Sequence, residues 1–212
     1  MTNVKSNGTI ENRQSFMKRF RLKITPEEMS RLDFAYDMAK YGHREQSRES
    51  GVRYFEHLRE TALILVDELG ITDIDLVIAA LLHDMLEDNF LLDQDRISLT
   101  FGKRVAYIVS VVTKPKKADK RFASDAARPQ WYFEQIFSAS VDAKIVKLAD
   151  RLQNMRTLEF CAPAKQARKA EETKKIYYPL LDDITKAYPE VAEYFRTQLR
   201  EALERFLVPK PQ

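Results

Sequence analysis

Residues 76–82, Leu-Val-Ile-Ala-Ala-Leu-Leu, are apolar without interruption, and the next seven, His83-Asp84-Met85-Leu86-Glu87-Asp88-Asn89, carry one imidazole and three carboxyl groups. A helix that is apolar on every side belongs at the centre of a fold rather than on its surface. The charge at the end of this run therefore faces burial, where crowded carboxylates need a cation or hydrogen-bond donors to stay ionised. On a helix of about 100° per residue, His83, Asp84, Glu87 and Asp88 share one arc, opposite Ile78, Leu82, Met85 and Leu86. His83 and Glu87, like Asp84 and Asp88, are four apart and so neighbours. An acidic arc by itself is most often a solvated helix face. The apolar run in front of it argues against that reading.

The rest of the chain is patterned for helices. Thr25-Pro26-Glu27-Glu28 supplies a cap, a first-turn proline and acids suited to a helix N-terminus, after which Met29, Leu32, Ala35 and Ala39 mark one face. Gly70 ends a second amphipathic stretch, Thr72 or Asp73 is placed to cap the apolar run, and Ser140 to cap a further helix that starts at Val141. Short β-branched runs such as Ile108-Val109-Ser110-Val111-Val112 sit inside longer helical spacing. The expectation is an all-α domain with room for one minor β-hairpin. It spans residues 25–208, behind an N-terminal extension of residues 1–24 whose first dozen residues are polar and expected to be mobile.

Composition narrows the function classes. Against 35 Lys and Arg stand 32 Asp and Glu, an interspersed net charge of +3 that argues against general nucleic-acid binding. Cys161 is the only cysteine, which excludes an intrachain disulfide and any multi-thiolate metal site, and suits a reducing, cytoplasmic setting. It is expected to pack rather than react. No stretch approaches the roughly 18 consecutive apolar residues of a membrane span, so no membrane partner is expected; the oligomeric state is left open.

Two more helices carry polar residues among apolar ones. His57 lies in Phe55-Glu56-His57-Leu58-Arg59-Glu60, and a third helix places Lys147, Asp150, Arg151, Asn154 and Thr157 on one arc, opposite Ile145, Leu148, Leu152 and Met155. A lone histidine such as His57 is more often a satisfied core residue than a ligand. The combination across three helices shifts that balance. His57, then His83-Asp84-Met85-Leu86-Glu87-Asp88, then Lys147-Leu148-Ala149-Asp150-Arg151-Leu152-Gln153-Asn154-Met155-Arg156-Thr157 resembles the hydrolase domain of the RelA/SpoT-homologue family, within the HD superfamily. The resemblance extends to Arg48-Glu49-Ser50-Gly51, Phe101-Gly102, Val112-Thr113-Lys114, Glu172-Thr173 and Tyr178-Pro179-Leu180, and covers most of residues 30 to 180.

Such a resemblance implies an HD-type helical bundle and the activity of a small alarmone hydrolase, a metal-dependent (p)ppGpp 3′-pyrophosphohydrolase that releases pyrophosphate and GDP or GTP. It implies that His57, His83, Asp84 and Asp150 hold one divalent metal, with Mn2+ the family's usual ion, and that Glu87 and Asp88 are the catalytic pair acting on the attacking water. It implies further that Arg48 packs on the purine and that Ser50, Asn154 and Thr157 contact the nucleoside. Lys147 is added here as a phosphate-side cation.

The chain departs from the family pattern at Glu49 for a common lysine, Leu58 and Arg53 for prolines, and Gln153 for a common histidine. All four are expected near the nucleotide. A carboxylate at 49 beside a polyanion weakens local phosphate attraction. That opens a second reading, hydrolysis of a related purine nucleotide such as (p)ppApp or NADPH; a third, of another class, is a catalytically silent nucleotide-binding sensor. The cluster Lys114, Lys116, Lys117, Lys120 and Arg121 is either a solvated loop or a gatherer of 5′ phosphates, and His43 is expected to support the site rather than bind metal.

Overall fold

In the computed structural model, which describes residues 11–88, 92–115 and 127–207, capping side chains set many of the helix starts. Helix α1 (Arg13–Lys18) opens on a reciprocal box between Asn12 and Ser15, and α2 (Pro26–Gly42) on the same device between Thr25 and Glu28, with Pro26 in the first turn. Helix α3 (Tyr54–Leu63) continues into one π-helical turn, Ile64–Glu68, and the chain reverses at Gly70, whose φ of +66° is left-handed. Asp73 caps α4 (Ile74–Leu82), and the single turn α5 (Met85–Asp88) follows. Next come α6 (Gln94–Phe101), α7 (Lys103–Val112), α8 (Ala127–Phe137) and α9 (Val141–Arg156), the last capped by Ser140. Helix α10 (Pro163–Glu172) passes through a second π-helical turn, Thr173–Tyr177, into α11 (Tyr178–Thr185), and α12 (Pro189–Leu207) closes the fold.

The all-α expectation holds, and Ile108–Val112 lies within α7. Among the described residues, in place of a hairpin, Ser47 pairs with Arg53 in an isolated antiparallel bridge, which closes the loop ahead of α3. Residues 1–10 and 116–126, where a mobile start and most of the basic cluster were expected, lie outside the described residues. Within the stretch assigned to an N-terminal extension, Phe16 and Phe20 are fully buried in the core. No described helix is long and apolar enough to cross a membrane.

Helix α4 is the centre. All its residues except Asp75 are buried, and it packs on α2, α3, α7 and α9. Each fully buried Leu or Ile contributes about 1.5–3 kcal/mol relative to exposure, so this run anchors whatever follows it. Helix α9 also crosses α3, α7 and α12, and it buries Lys144, Lys147, Asp150 and Arg151 together with its apolar face. Through these contacts the end of α4 lies beside the middle of α9.

The apolar run and the charged residues after it were read as one helix, but among the described residues it breaks at His83 and Asp84. The His83 Nδ1 donates to the Ala80 carbonyl (2.8 Å), and the Thr113 hydroxyl, which donates to the Val109 carbonyl (2.6 Å), stands 3.2 Å from the His83 carbonyl. The Ala80 carbonyl is thereby engaged by a side chain, and the Glu87 N–H turns to Asp84 (3.1 Å). The chain opens where its charged residues begin.

Candidate active site

His57 on α3, His83 after α4 and Asp150 on α9 bring one ligand atom each to within 4.8 Å of one another, all three residues buried. The two imidazole Nε2 atoms face each other at 3.3 Å. Asp150 Oδ1 stands 3.3 Å from His57 Nε2 and 3.5 Å from His83 Nε2, and Asp84 Oδ2 stands 3.3 Å from His83 Nε2 and 3.7 Å from His57 Nε2.

The hydrogen-bond partners assign both tautomers. His83 Nδ1 meets a carbonyl and must donate. His57 Nδ1 meets Gln153 Oε1, and the Gln153 amide is oriented by its own Nε2, which donates to Glu60 Oε2 (2.9 Å). Both Nε2 atoms therefore point into the same space, beside two carboxylates. That arrangement demands a positive charge. Two imidazole nitrogens and two carboxylate oxygens form a donor set suited to a divalent transition metal, and ligands bound at about 2.1 Å to one ion lie about 3–3.4 Å apart. The residues fit the cation.

The electrostatics agree. Burial disfavours charge on His83, but Asp84 and Asp150 outweigh it and push its pKa up to about 10. His57, also buried, is lowered. Burial opposes ionisation of Asp84 and Asp150, yet His83 beside the first and Lys147 beside the second hold both below the usual carboxylate range.

A cleft of about 290 Å³ opens over this cluster. The loop of residues 47–50 and Tyr54 form one wall, Asp84 and Glu87 another, and Asp150 and Asn154 of α9 with Thr157 at its C-cap the floor. Glu87 accepts from the Lys114 backbone N–H (2.9 Å), and its pKa is raised by burial and then by the charge of Asp84. Asp88 ends α5; its side chain lies outside the described residues. Arg48 donates to Asn154 Oδ1 (2.6 Å), and Asn154 Nδ2 donates to Asp150 Oδ1 (2.5 Å), so these two expected nucleoside contacts are tied to the His/Asp cluster. Ser50 and Thr157 line the same cleft.

Four expectations change. Lys147 does not reach the cleft: it is 2% exposed, and its Nζ is held by Asp150 Oδ2 (2.8 Å) and the Val112 carbonyl (3.4 Å). It neutralises Asp150 from beneath, because position 147 lies a turn earlier on α9 and faces α7. Of the four departures, only Glu49 lines the cleft, paired with Lys165 (2.5 Å). Leu58 is in the core, Arg53 pairs with Glu56, and Gln153 sits behind His57. Cys161 packs half-buried at the cleft rim. His43, as expected, supports from a distance: its ring stacks on Tyr54 at 4.9 Å.

Tyr54, Lys169 and Tyr177 were not singled out. The Tyr54 hydroxyl donates to Asp84 Oδ2 (2.6 Å), and its ring meets His57 edge-on. Its place three residues before His57 was the available signal. Across the cleft, Arg151 pairs with Glu172 (2.6 Å) above the Tyr177 ring, and Lys169 shares Glu172 (2.9 Å). With Lys114 they form a cationic wall on the α10 side, built from helices that no local spacing connects.

Comparison with known proteins follows the same lines. A guanosine-3′,5′-bis(diphosphate) 3′-pyrophosphohydrolase of Aquifex aeolicus (strain VF5) is 35% identical over 208 residues, covering 87% of this chain and 29% of the relative. The bifunctional (p)ppGpp synthase/hydrolase SpoT of Escherichia coli (strain K12) is 38% identical over 159 residues, covering 74% and 22%. The chain thus spans less than a third of the length of these curated relatives. A solved structure described as a metazoan ortholog of SpoT that hydrolyzes ppGpp and plays a role in starvation responses superposes with a TM-score of 0.64 at 26% identity, over 83% of this chain and 95% of its own. A family model described as HD domain matches residues 35–182, which hold every residue of the cluster and the cleft floor, and the chain belongs to that HD-domain family.

Proposed function

We propose that the protein is a metal-dependent 3′-pyrophosphohydrolase of (p)ppGpp, yielding pyrophosphate and GDP or GTP. The observation that carries this is the pair of inward-facing Nε2 atoms between two carboxylates, directly under a cleft with an acid on one side and a cationic wall on the other. His57, His83, Asp84 and Asp150 would hold the ion, most simply Mn2+ given mixed imidazole and carboxylate donors. When bound, such an ion supplies a Lewis acid that polarises a phosphoryl oxygen and lowers the pKa of a water.

The chain's own residues supply the rest. Water attacks the phosphorus attached to ribose O3′, the P–O3′ bond breaks, and the proton leaves the water for Glu87 and is returned to O3′. Burial suits Glu87 to this task, because its raised pKa makes its ionised form a better base. Asp88, one residue on, would orient the water. Arg48 would pack on the purine, Ser50, Asn154 and Thr157 would position the nucleoside, and Lys114, Arg151 and Lys169 would face its phosphates. A cytoplasmic setting, consistent with the single cysteine, belongs to the same proposal.

The deciding measurement is product analysis with ppGpp, pppGpp, ppApp and NADPH, with Mn2+ and with chelator. Pyrophosphate release from ppGpp or pppGpp that stops with chelator is the expected result, and no metal-dependent turnover of any of the four would refute the reading. Glu49, a carboxylate on the cleft wall paired with Lys165, favours one alternative, that ppApp or NADPH is the better substrate. The same comparison of rates decides it.

The cationic wall predicts a pH effect. Lys169 is pushed down to about 8 by burial and by the charge of Lys114, with Glu172 opposing. A lowered amine is charged below its pKa and neutral above it. The kcat/KM for a polyanionic substrate should therefore fall as pH rises through about 8, with the limb moved to higher pH in Lys169→Arg. Lys169→Met should cost on the order of 10-fold or more at neutral pH, as expected for losing a hydrogen bond to a charged group. An unchanged alkaline limb in Lys169→Arg would remove Lys169 from this role.

A further inference from the structure

We infer that Glu60 and Gln153 form a hydrogen-bonded relay that fixes the tautomer and direction of His57, and that Gln153 is a positioning residue for divalent-metal binding. The chain of contacts is continuous. Glu60 Oε2 accepts from Gln153 Nε2 at 2.9 Å, and Gln153 Oε1 accepts from His57 Nδ1. Gln153 is 4% exposed and Glu60 is half-buried beside it. An ionised Glu60 carboxylate accepts and does not donate, which orients the Gln153 amide. The amide then presents its oxygen to His57, the proton resides on Nδ1, and the Nε2 lone pair is directed at the cluster.

His57 and Glu60 are one turn apart on α3, and Gln153 is on α9, three residues past Asp150. The relay therefore locks together the two helices that carry His57 and Asp150. A polar group that holds the non-ligating nitrogen of a histidine typically changes metal affinity by about 10–100-fold when removed. An imidazole at 153 has both a donor and an acceptor nitrogen and can bridge a carboxylate and the His57 N–H in the same sense, whereas an alkyl side chain can do neither. The departure at Gln153 from the family's common histidine is thus a conservative exchange of one bridging group for another.

The inference rests on the metal-binding half of the reading above and not on its substrate, so it is tested without nucleotide. Mn2+ affinity by chelator competition and the His57 tautomer by ¹⁵N NMR of the metal-free protein are measured for wild type, Gln153→Leu, Gln153→His and Glu60→Gln. Wild type is expected to show a protonated Nδ1. Gln153→Leu is expected to bind Mn2+ about 10–100-fold more weakly and to show mixed tautomers, and Gln153→His is expected to restore both. Wild-type affinity in Gln153→Leu, a protonated Nε2 in the wild type, or equal losses in Gln153→Leu and Gln153→His would overturn the relay. A protein that binds Mn2+ as expected yet releases no pyrophosphate would sink the substrate reading and leave the relay standing.

Discussion

Asp150→Ala is expected to abolish metal binding and turnover and to destabilise the metal-free fold by about 3–5 kcal/mol, the usual cost of stranding one partner of a buried ion pair. Asp150 lies between Lys147 Nζ, 2.8 Å from Oδ2, and the two histidine rings on Oδ1. Lys147 is fully buried, its pKa held well above the ordinary value because Asp150 and two tyrosines outweigh its desolvation. Without the carboxylate, the ammonium keeps only the Val112 carbonyl at 3.4 Å and the Tyr132 ring at 5.3 Å. The double variant Asp150→Ala/Lys147→Met should recover much of the lost stability and none of the activity. Urea unfolding in chelator, beside Mn2+ affinity, separates the two effects. A double variant no more stable than Asp150→Ala would mean that Lys147 is not the stranded charge.

Glu87→Gln is expected to lower kcat by about 10²–10⁴, the contribution of a positioned general base, while leaving the urea midpoint and Mn2+ affinity close to wild type. Glutamine keeps an oxygen to accept from the Lys114 N–H, so the turn is undisturbed and only the ability to take a proton is lost. The pH profile supplies a second check. Burial, and then the Asp84 charge, raise Glu87 above the usual carboxylate range, and the base works only when ionised. Wild-type kcat/KM should therefore fall as pH drops through that raised value, and the residual activity of Glu87→Gln should lack this limb. Full turnover in Glu87→Gln would transfer the base role elsewhere, with Asp88→Asn the next variant to measure.

Much of this site was legible before any tertiary contact. The apolar run of residues 76–82 implied a buried helix end, and His83 and Asp84 directly after it do meet in the buried cluster. What was misread followed from treating helices as isolated. The helix expected to run on past Leu82 broke at His83, whose own imidazole takes the Ala80 carbonyl as it turns toward α3 and α9. Lys147 shared an arc with Asp150 and Asn154, but an arc does not say which part of it meets a neighbouring helix. Here α7 and α8 cover it.

By itself the sequence determined the helical class, the capped helix starts at Thr25 and Ser140 and, to within one residue, at Asp73, and the residue types of the His/Asp cluster. These depend on short-range periodicity and on side chains that act within one turn. Only the tertiary structure decided that Tyr54 holds Asp84 and that Lys147 lies beneath Asp150 rather than in the cleft. It also decided that Arg151 and Lys169 meet across Glu172, and that Gln153, 93 residues from Glu60, supports His57 from behind. Those pairings join helices distant in the chain, and packing around α4 and α9 selects among the contacts that spacing alone leaves open.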